Sequence, residues 1–375
     1  MDGYHYTCRQ RAEAMPFILN IFVLTVFALV VPVSGILIVD CTENCTSDQV
    51  TIGDALENLT SNTILRFTPG VHVLQISSIN HGLQNVSLIG DGQLSTIISC
   101  EEGGGLAFVD VVGLTIESIT VQQCGMSGES LSNVLNITIS QPTGFSHKVP
   151  HSLNVSLFLG NCRDVTLQHV TVRNTTGVGL LGINVLGRSN FTDLNFLSNA
   201  YNSDLNTCLA AFTPTVLHSR YYEQLIGGGA FLIYSDGLNL TKNVTAKLVV
   251  DHSTFEKNKD CSITSMVALY LGQDFYSSAT LREMGYHIGS GGGLSIILTQ
   301  LNYAVEINIA SSHFQNNEGT HGAGAYVFTF YDTNNSSIIF TNCSFTGNGV
   351  SESTFSSSGY HVNFSSSGSG ICSIH

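Results

Sequence analysis

Charge is scarce in this chain: Asp, Glu, Lys and Arg together make up 11% of its 375 residues. Lys and Arg number only 13 against 27 acidic residues, a formal net charge of −14. Recognition of nucleic acid depends on Lys and Arg patches, so that class of partner is excluded. The acidic surplus is spread along the chain and forms no acidic tail. No Lys-Ser or Lys-Thr follows any glycine cluster, which removes a phosphate-cradling loop. Cys41-x3-Cys45 has no second Cys/His pair at finger spacing, which argues against zinc. No metal and no cofactor are expected. Tryptophan is absent and proline occurs six times, while glycine occurs 37 times among abundant Ser, Thr and Asn. Low charge with many β-branched and small polar residues fits an all-β solenoid better than a helical protein.

An internal repeat is present. Phenylalanine is followed three positions later by asparagine at Phe196/Asn199, Phe255/Asn258, Phe314/Asn317 and Phe345/Asn348. Each pair closes a short run of alternating apolar residues, and two earlier runs end at Val121 and Val172. The anchors at 121, 172, 196, 255, 314 and 345 are separated by 51, 24, 59, 59 and 31 residues. One coil of a parallel solenoid takes roughly 20–30 residues, a size within the general repeat range. Spacings of 24 and 31 therefore read as single coils, and the longer ones as two coils or one coil with a large side loop. Glycine clusters at 103–105, 177/179, 227–229, 291–293 and 322/324 each precede an apolar strand and read as tight corners.

Residues 16–39 form an uncharged run of 24, preceded by Arg9 and Arg11 and followed by Asp40 and Glu43. That pattern is a secretory signal or a signal anchor, with the body outside in either case. Val33-Ser34-Gly35 supplies small residues for cleavage before Ile36. Membrane contact is expected only through 16–39, if that segment stays uncleaved. Thirteen Asn-x-Ser/Thr sequons support export as a glycoprotein: Asn44, Asn58, Asn85, Asn136, Asn154, Asn174, Asn190, Asn239, Asn243, Asn334, Asn335, Asn342 and Asn363. Nine cysteines follow the run, and in an exported chain most should pair. Cys100 and Cys124 are 24 residues apart, one coil by the spacing above, which makes them the first expected disulfide and Cys41–Cys45 the second. Nine is odd, so one thiol is free or pairs outside the chain.

Ile52, Ala55, Leu56 and Leu59 fall on one helical face, with Ser47 or Asp48 available as N-cap. Thr68-Pro69-Gly70 is a turn between two short apolar runs. Then come Leu88-Ile89-Gly90-Asp91-Gly92 and Thr96-Ile97-Ile98. With the cap helix and the Phe-x-x-Asn coils, these resemble right-handed parallel β-helix proteins of the pectin-lyase-like class, over about residues 45–350. The resemblance implies an all-β, single-stranded right-handed parallel β-helix with a short N-terminal capping helix. It divides the chain into a signal or anchor at 1–35, a cap at 36–75, a β-helix at 76–350 and a Ser/Gly-rich tail at 351–375. Insertions near 126–156, 200–226 and 260–290 interrupt the repeat and are expected to be loops on a binding face.

Counting back from each anchor, alternation turns two columns outward. Three positions back stand Ser118, His169, Asp193, His252, Ser311 and Asn342; one position back stand Thr120, Thr171, Asn195, Thr254, His313 and Ser344. Such hydroxyls, amides and imidazoles suit sugar hydroxyls, and enzymes of this fold class bind polysaccharide along such a face. Catalysis by paired carboxylates is poorly supported, because the count leaves Asp193 as the single outward carboxylate and turns Glu117 and Asp251 inward or to strand starts. His169 and Asp193 are the one candidate acid–base pair, on adjacent coils. The paired aspartates and His-Gly of pectin hydrolases are missing, as are the Gln/Asp/Asp/Arg positions of pectin methylesterases. The reading is therefore a non-catalytic extracellular or cell-surface glycoprotein recognising glycans or extracellular proteins. Its alternatives are a polysaccharide lyase or hydrolase, and the outer module of a longer membrane protein.

Overall fold

The computed structural model describes residues 35–40, 49–100, 104–127, 154–200, 228–234, 244–259, 292–298, 303–319, 323–329, 336–350 and 371–374. Contacts divide the chain into Met1–Gly35 and Ile36–His375, and all the described residues but Gly35 belong to the second unit. The expected Cys41–Cys45 pair and the sequons at Asn44, Asn136, Asn239, Asn243, Asn334, Asn335 and Asn363 lie outside the described residues. So do residues 16–34 and most of each insertion. The end of the apolar run, Gly35–Val39, is a strand beside Thr63–Phe67, with Val39 buried. Among the described residues no helix is long and apolar enough to cross a membrane.

The chain is a parallel β-helix. Each coil contributes one strand to each of three parallel stacks. One complete coil runs Ala246–Asp251, Thr254–Glu256 and Leu294–Leu298. The next runs Val305–Ala310, His313–Gln315 and Ala325–Thr329, directly in register with it. The first two stacks merge at the long strands Val112–Gln122 and Thr166–Arg173, which bend from one face to the other. The third holds eight strands in coil order, from Ser78–His81 to Ile371–Ile374. The 51- and 59-residue spacings are resolved as single coils: Val121 lies opposite Val172, Phe196 opposite Phe255, and Phe255 opposite Phe314. Their additional residues follow 127, 200 and 259 in sequence, each time between a second-stack and a third-stack strand.

Inside, like stacks on like. Phe196, Phe255, Phe314 and Phe345 form a column with ring centroids 5.1, 4.7 and 4.6 Å apart and planes within 13° of parallel. Leu65, Leu88, Ile116, Leu167, Phe191, Val250 and Ile309 fill the first-stack side of the core at 2% exposure or less. The third stack is apolar on both faces: Phe158, Leu181, Phe231, Ile297 and Tyr326 form a second buried cluster separate from the main core. The cap is a six-residue helix, α1 (Ile52–Glu57), with Ile52, Ala55 and Leu56 buried. Its N-cap is Thr51 rather than Ser47 or Asp48, because the Thr51 hydroxyl accepts from the Asp54 N–H at 3.1 Å.

The glycine clusters act by close approach. A Cβ on Gly229 would stand 2.6 Å from the Gly293 carbonyl and 3.0 Å from Asn258 Nδ2. Gly229→Ala is expected to cost about 1–3 kcal/mol, by overpacking against backbone that cannot retreat. Urea unfolding checks it, and an unchanged midpoint would remove this role for the clusters.

The Cys100–Cys124 disulfide is present, its Cα atoms 4.7 Å apart on adjacent coils. Among the described residues Cys162 and Cys343 are free. Burial pushes the Cys162 thiol up to about 12, so it stays protonated and inert at neutral pH. The unfolded thiol ionises near pH 9 while the folded one does not. This thiol's contribution to stability is thus whole below about pH 9 and declines as pH rises towards 12.

Candidate functional site: the second face and its ridge

Two kinds of position separate what alternation had put in one class. Ser118, His169, Asp193, His252, Ser311 and Asn342 are all corner residues, Ser118 and His169 at the bends of the long strands Val112–Gln122 and Thr166–Arg173 and the others between strands. Their φ values are 58°, 50°, 54°, 49°, 47° and 53°, all left-handed. The chain turns from the first stack to the second at this single left-handed residue, and the next residue (Ile119, Val170, Leu194, Ser253, Ser312) is buried in the corner. The left-handed residue shifts the count by one. In consequence Glu117 and Asp251 point outward, correcting the inward reading, while Ile116 and Val250 are the buried neighbours at 1% and 2% exposure.

The ridge therefore carries Glu117, His169, Asp193, Asp251 and His252. His169 and Asp193 do meet, Nε2 to Oδ2 at 3.3 Å, each 42% exposed. His252 Nδ1 lies 3.0 Å from Asp251 Oδ2, within its own coil. Among the described residues no group of three His, Cys, Asp or Glu side chains is placed to hold a metal ion.

The second column does lie on the outer face of the second stack, in strict register: Thr120, Thr171, Asn195, Thr254, His313, Ser344. Its first half is closed. Thr120 and Thr171 are 2% and 6% exposed, which corrects their assignment to an open binding face. The covering group is Gln93, in the Gly90–Ser95 loop. Thr120 Oγ1 donates to its carbonyl, and Thr171 Oγ1 and Asn195 Nδ2 donate to its Oε1 at 2.9 and 3.0 Å. The loop is anchored on the ridge by Gly92 N–H to the Ser118 carbonyl at 3.2 Å, and its tip, Leu94, is 92% exposed.

Beyond Asn195 the described residues leave the face accessible. Thr254 is half-buried, His313 exposed, and His313 Nδ1 lies 2.6 Å from the Ser344 hydroxyl. Leu197, Glu256, Gln315 and Thr346 form a parallel column beside them. The open site is thus Asn195, Thr254, His313 and Ser344, with Leu94 at one end and the His169–Asp193–His252 ridge alongside. Gln93 and Leu94 were missed because no repeat position marks them: they reach the face from a loop 102 residues before Asn195.

Of the sequons in the described chain, Asn58, Asn85, Asn174, Asn190 and Asn342 are exposed and Asn154 is half-buried. Asn190 stands on the outer face of the first stack. None stands in a column of the second face among the described residues.

No protein-family model matches the sequence, and no curated protein matches it. Solved structures that it resembles include an alginate lyase from Paenibacillus, at 9% identity over 84% of this chain and 97% of that one, TM-score 0.32. A pectin methylesterase from carrot is similar at 10% identity over 92% and 89%, TM-score 0.33. A pectate lyase is similar at 11% identity over 86% and 82%, TM-score 0.32. At that distance the parallel β-helix assignment rests on this chain's own strand pairing.

Proposed function

We propose that this is an exported, N-glycosylated protein that recognises an extended glycan along the open half of its second face, without cleaving it. The observation behind this reading is the column Asn195, Thr254, His313 and Ser344, which repeats donors and acceptors at the coil rise of about 4.8 Å. A chain of sugars presents hydroxyls that need paired donors and acceptors along its length. Recognition is favoured over turnover because the His–carboxylate pair that bridges two coils beside this face, His169 and Asp193, is 42% exposed on both sides. A general acid needs a carboxyl held away from water to raise its pKa. Export rests on residues 16–39 and the sequons.

Glycan-array binding by the secreted protein tests the reading. Replacing Asn195, Thr254 and His313 together by Ala should weaken binding about tenfold or more, since each lost hydrogen bond contributes about 0.5–1.5 kcal/mol. Unchanged binding would move the contact to the inserted loops.

A second reading has one observation in its favour. Glu117, Asp193 and Asp251 all turn outward along the ridge, and paired carboxylates can cleave glycosidic bonds. Release of reducing or unsaturated ends that disappears in Asp193→Asn or His169→Ala would make this a polysaccharide-cleaving enzyme.

A further inference from the structure

The loop that covers the first half of the second face is held by its backbone. Gly90 N–H donates to the Glu117 carbonyl at 2.9 Å, Gly92 N–H to the Ser118 carbonyl at 3.2 Å, and Gly70 N–H to the Ser95 carbonyl at 2.7 Å. Asp91 N–H donates to Thr96 Oγ1 at 3.0 Å. A Cβ on Gly90 would collide with the Ser118 carbonyl and stand 2.8 Å from Thr96 Cβ, so the loop passes hard against the ridge. None of these contacts uses the side chain of Gln93.

That side chain reaches along the face instead. Its Oε1 accepts from Thr171 Oγ1 at 2.9 Å and from Asn195 Nδ2 at 3.0 Å, two side chains in register on adjacent coils. A single oxygen is thus held over the face between two coils. The same column offers further pairs beyond it: Asn195 with Thr254, Thr254 with His313, and His313 with Ser344. A sugar hydroxyl lying over any of these pairs would meet polar groups on two coils about 4.8 Å apart in the same manner.

We propose that Gln93 sets the first end of the glycan site, its amide oxygen taking the place that a sugar oxygen would take between the coils of Thr171 and Asn195. This rests on the glycan reading above and adds to it the residue that ends the site and the coil withheld from it. Thr171 and Asn195 cannot give these hydrogens to a sugar while Gln93 receives them, and Thr171 is only 6% exposed. Thr120 stays covered whatever the side chain at 93, because it donates to the main-chain carbonyl of that residue. Removing the Gln93 side chain therefore opens one coil, that of Thr171.

Binding of oligomers of increasing length to the secreted, glycosylated protein tests the proposal, with cellulose, mannan, chitin, polygalacturonate and alginate series as the probes. For a series that binds, the affinity of the wild type should stop rising at a definite length. In Gln93→Ala it should go on rising, and the longer oligomers should bind about tenfold tighter than to the wild type, the effect of two donors restored to the ligand. Gln93→Glu, whose carboxylate accepts the same two hydrogens, should bring back the wild-type length. The thermal midpoint of Gln93→Ala should stay close to that of the wild type, and a large drop would overturn the proposal by making the side chain an anchor of the loop. An unchanged length in Gln93→Ala, or weaker binding at every length, would overturn it and leave the glycan reading standing. If no series binds to the wild type or to Gln93→Ala, the glycan reading itself fails and this inference falls with it.

Discussion

Asn258→Leu should lower stability by about 3–5 kcal/mol, among the largest effects of any single substitution in this chain. The side chain is fully buried and makes four hydrogen bonds. Its Oδ1 accepts from the Asn199 N–H at 3.1 Å and from Asn199 Nδ2 at 2.9 Å. Its Nδ2 donates to the Phe196 carbonyl at 2.9 Å and to Asn317 Oδ1 at 3.0 Å. Leucine fills the volume but strands those partners, each a buried polar group costing about 1–3 kcal/mol when unsatisfied. Asn348→Leu provides the contrast. It ends the same ladder, is only half-buried, and receives from Asn317 without passing the chain of bonds on to a further asparagine. Its cost should be nearer 1 kcal/mol. Urea denaturation of the two variants measures the difference. Equal losses would mean that the ladder acts through local corner geometry and not through its buried hydrogen bonds.

Breaking the Cys100–Cys124 bond should have the second large effect. The bond closes a loop of 24 residues, and constraint of a loop that size in the unfolded chain stabilises by roughly 3 kcal/mol. Cys100→Ser with Cys124→Ser should therefore lower the thermal midpoint by about 5 °C or more. Reductant should lower the midpoint of the wild type by at least as much, and that of the double variant by less. Both sulfurs lie near the start of the helix, where the Gly90–Ser95 loop crosses the second face. Loosening this coil should also expose Thr171 from beneath Gln93 and release the Asn195 amide from it. If reductant left the melting curve unchanged, the stacking of adjacent coils alone would be holding this region.

Much of the architecture could be read from residue spacing, because stacked coils force like residues to recur at fixed places. The Phe and Asn columns, the corner glycines and the 24-residue cysteine spacing all follow from that one constraint. The length of the longer repeats could not be read, since a 59-residue spacing fits two coils as well as one coil with an insertion. Register settled it: Phe196 lies directly against Phe255.

The site was less legible, for a local reason. Alternation assumes an unbroken strand, and one left-handed residue between two strands shifts every face before it by one position. Ser118, His169, Asp193, His252 and Ser311 are of three different kinds, only some of them common in that conformation. Sequence therefore carried no warning that Glu117 and Asp251 face the solvent. Nor could the closure of Thr120 and Thr171 be foreseen. It depends on one glutamine, placed by the turn at Gly90 and Gly92, that spans three coils of a face it precedes by many residues.

By itself, the sequence determined that this chain stacks coils, what fills their interior and which two cysteines join, because those properties repeat in register and need only local counting. Tertiary structure alone decided which polar residues share a surface and which are covered. Those depend on where non-repeating segments land and on single left-handed corners, neither of which leaves a period in the chain.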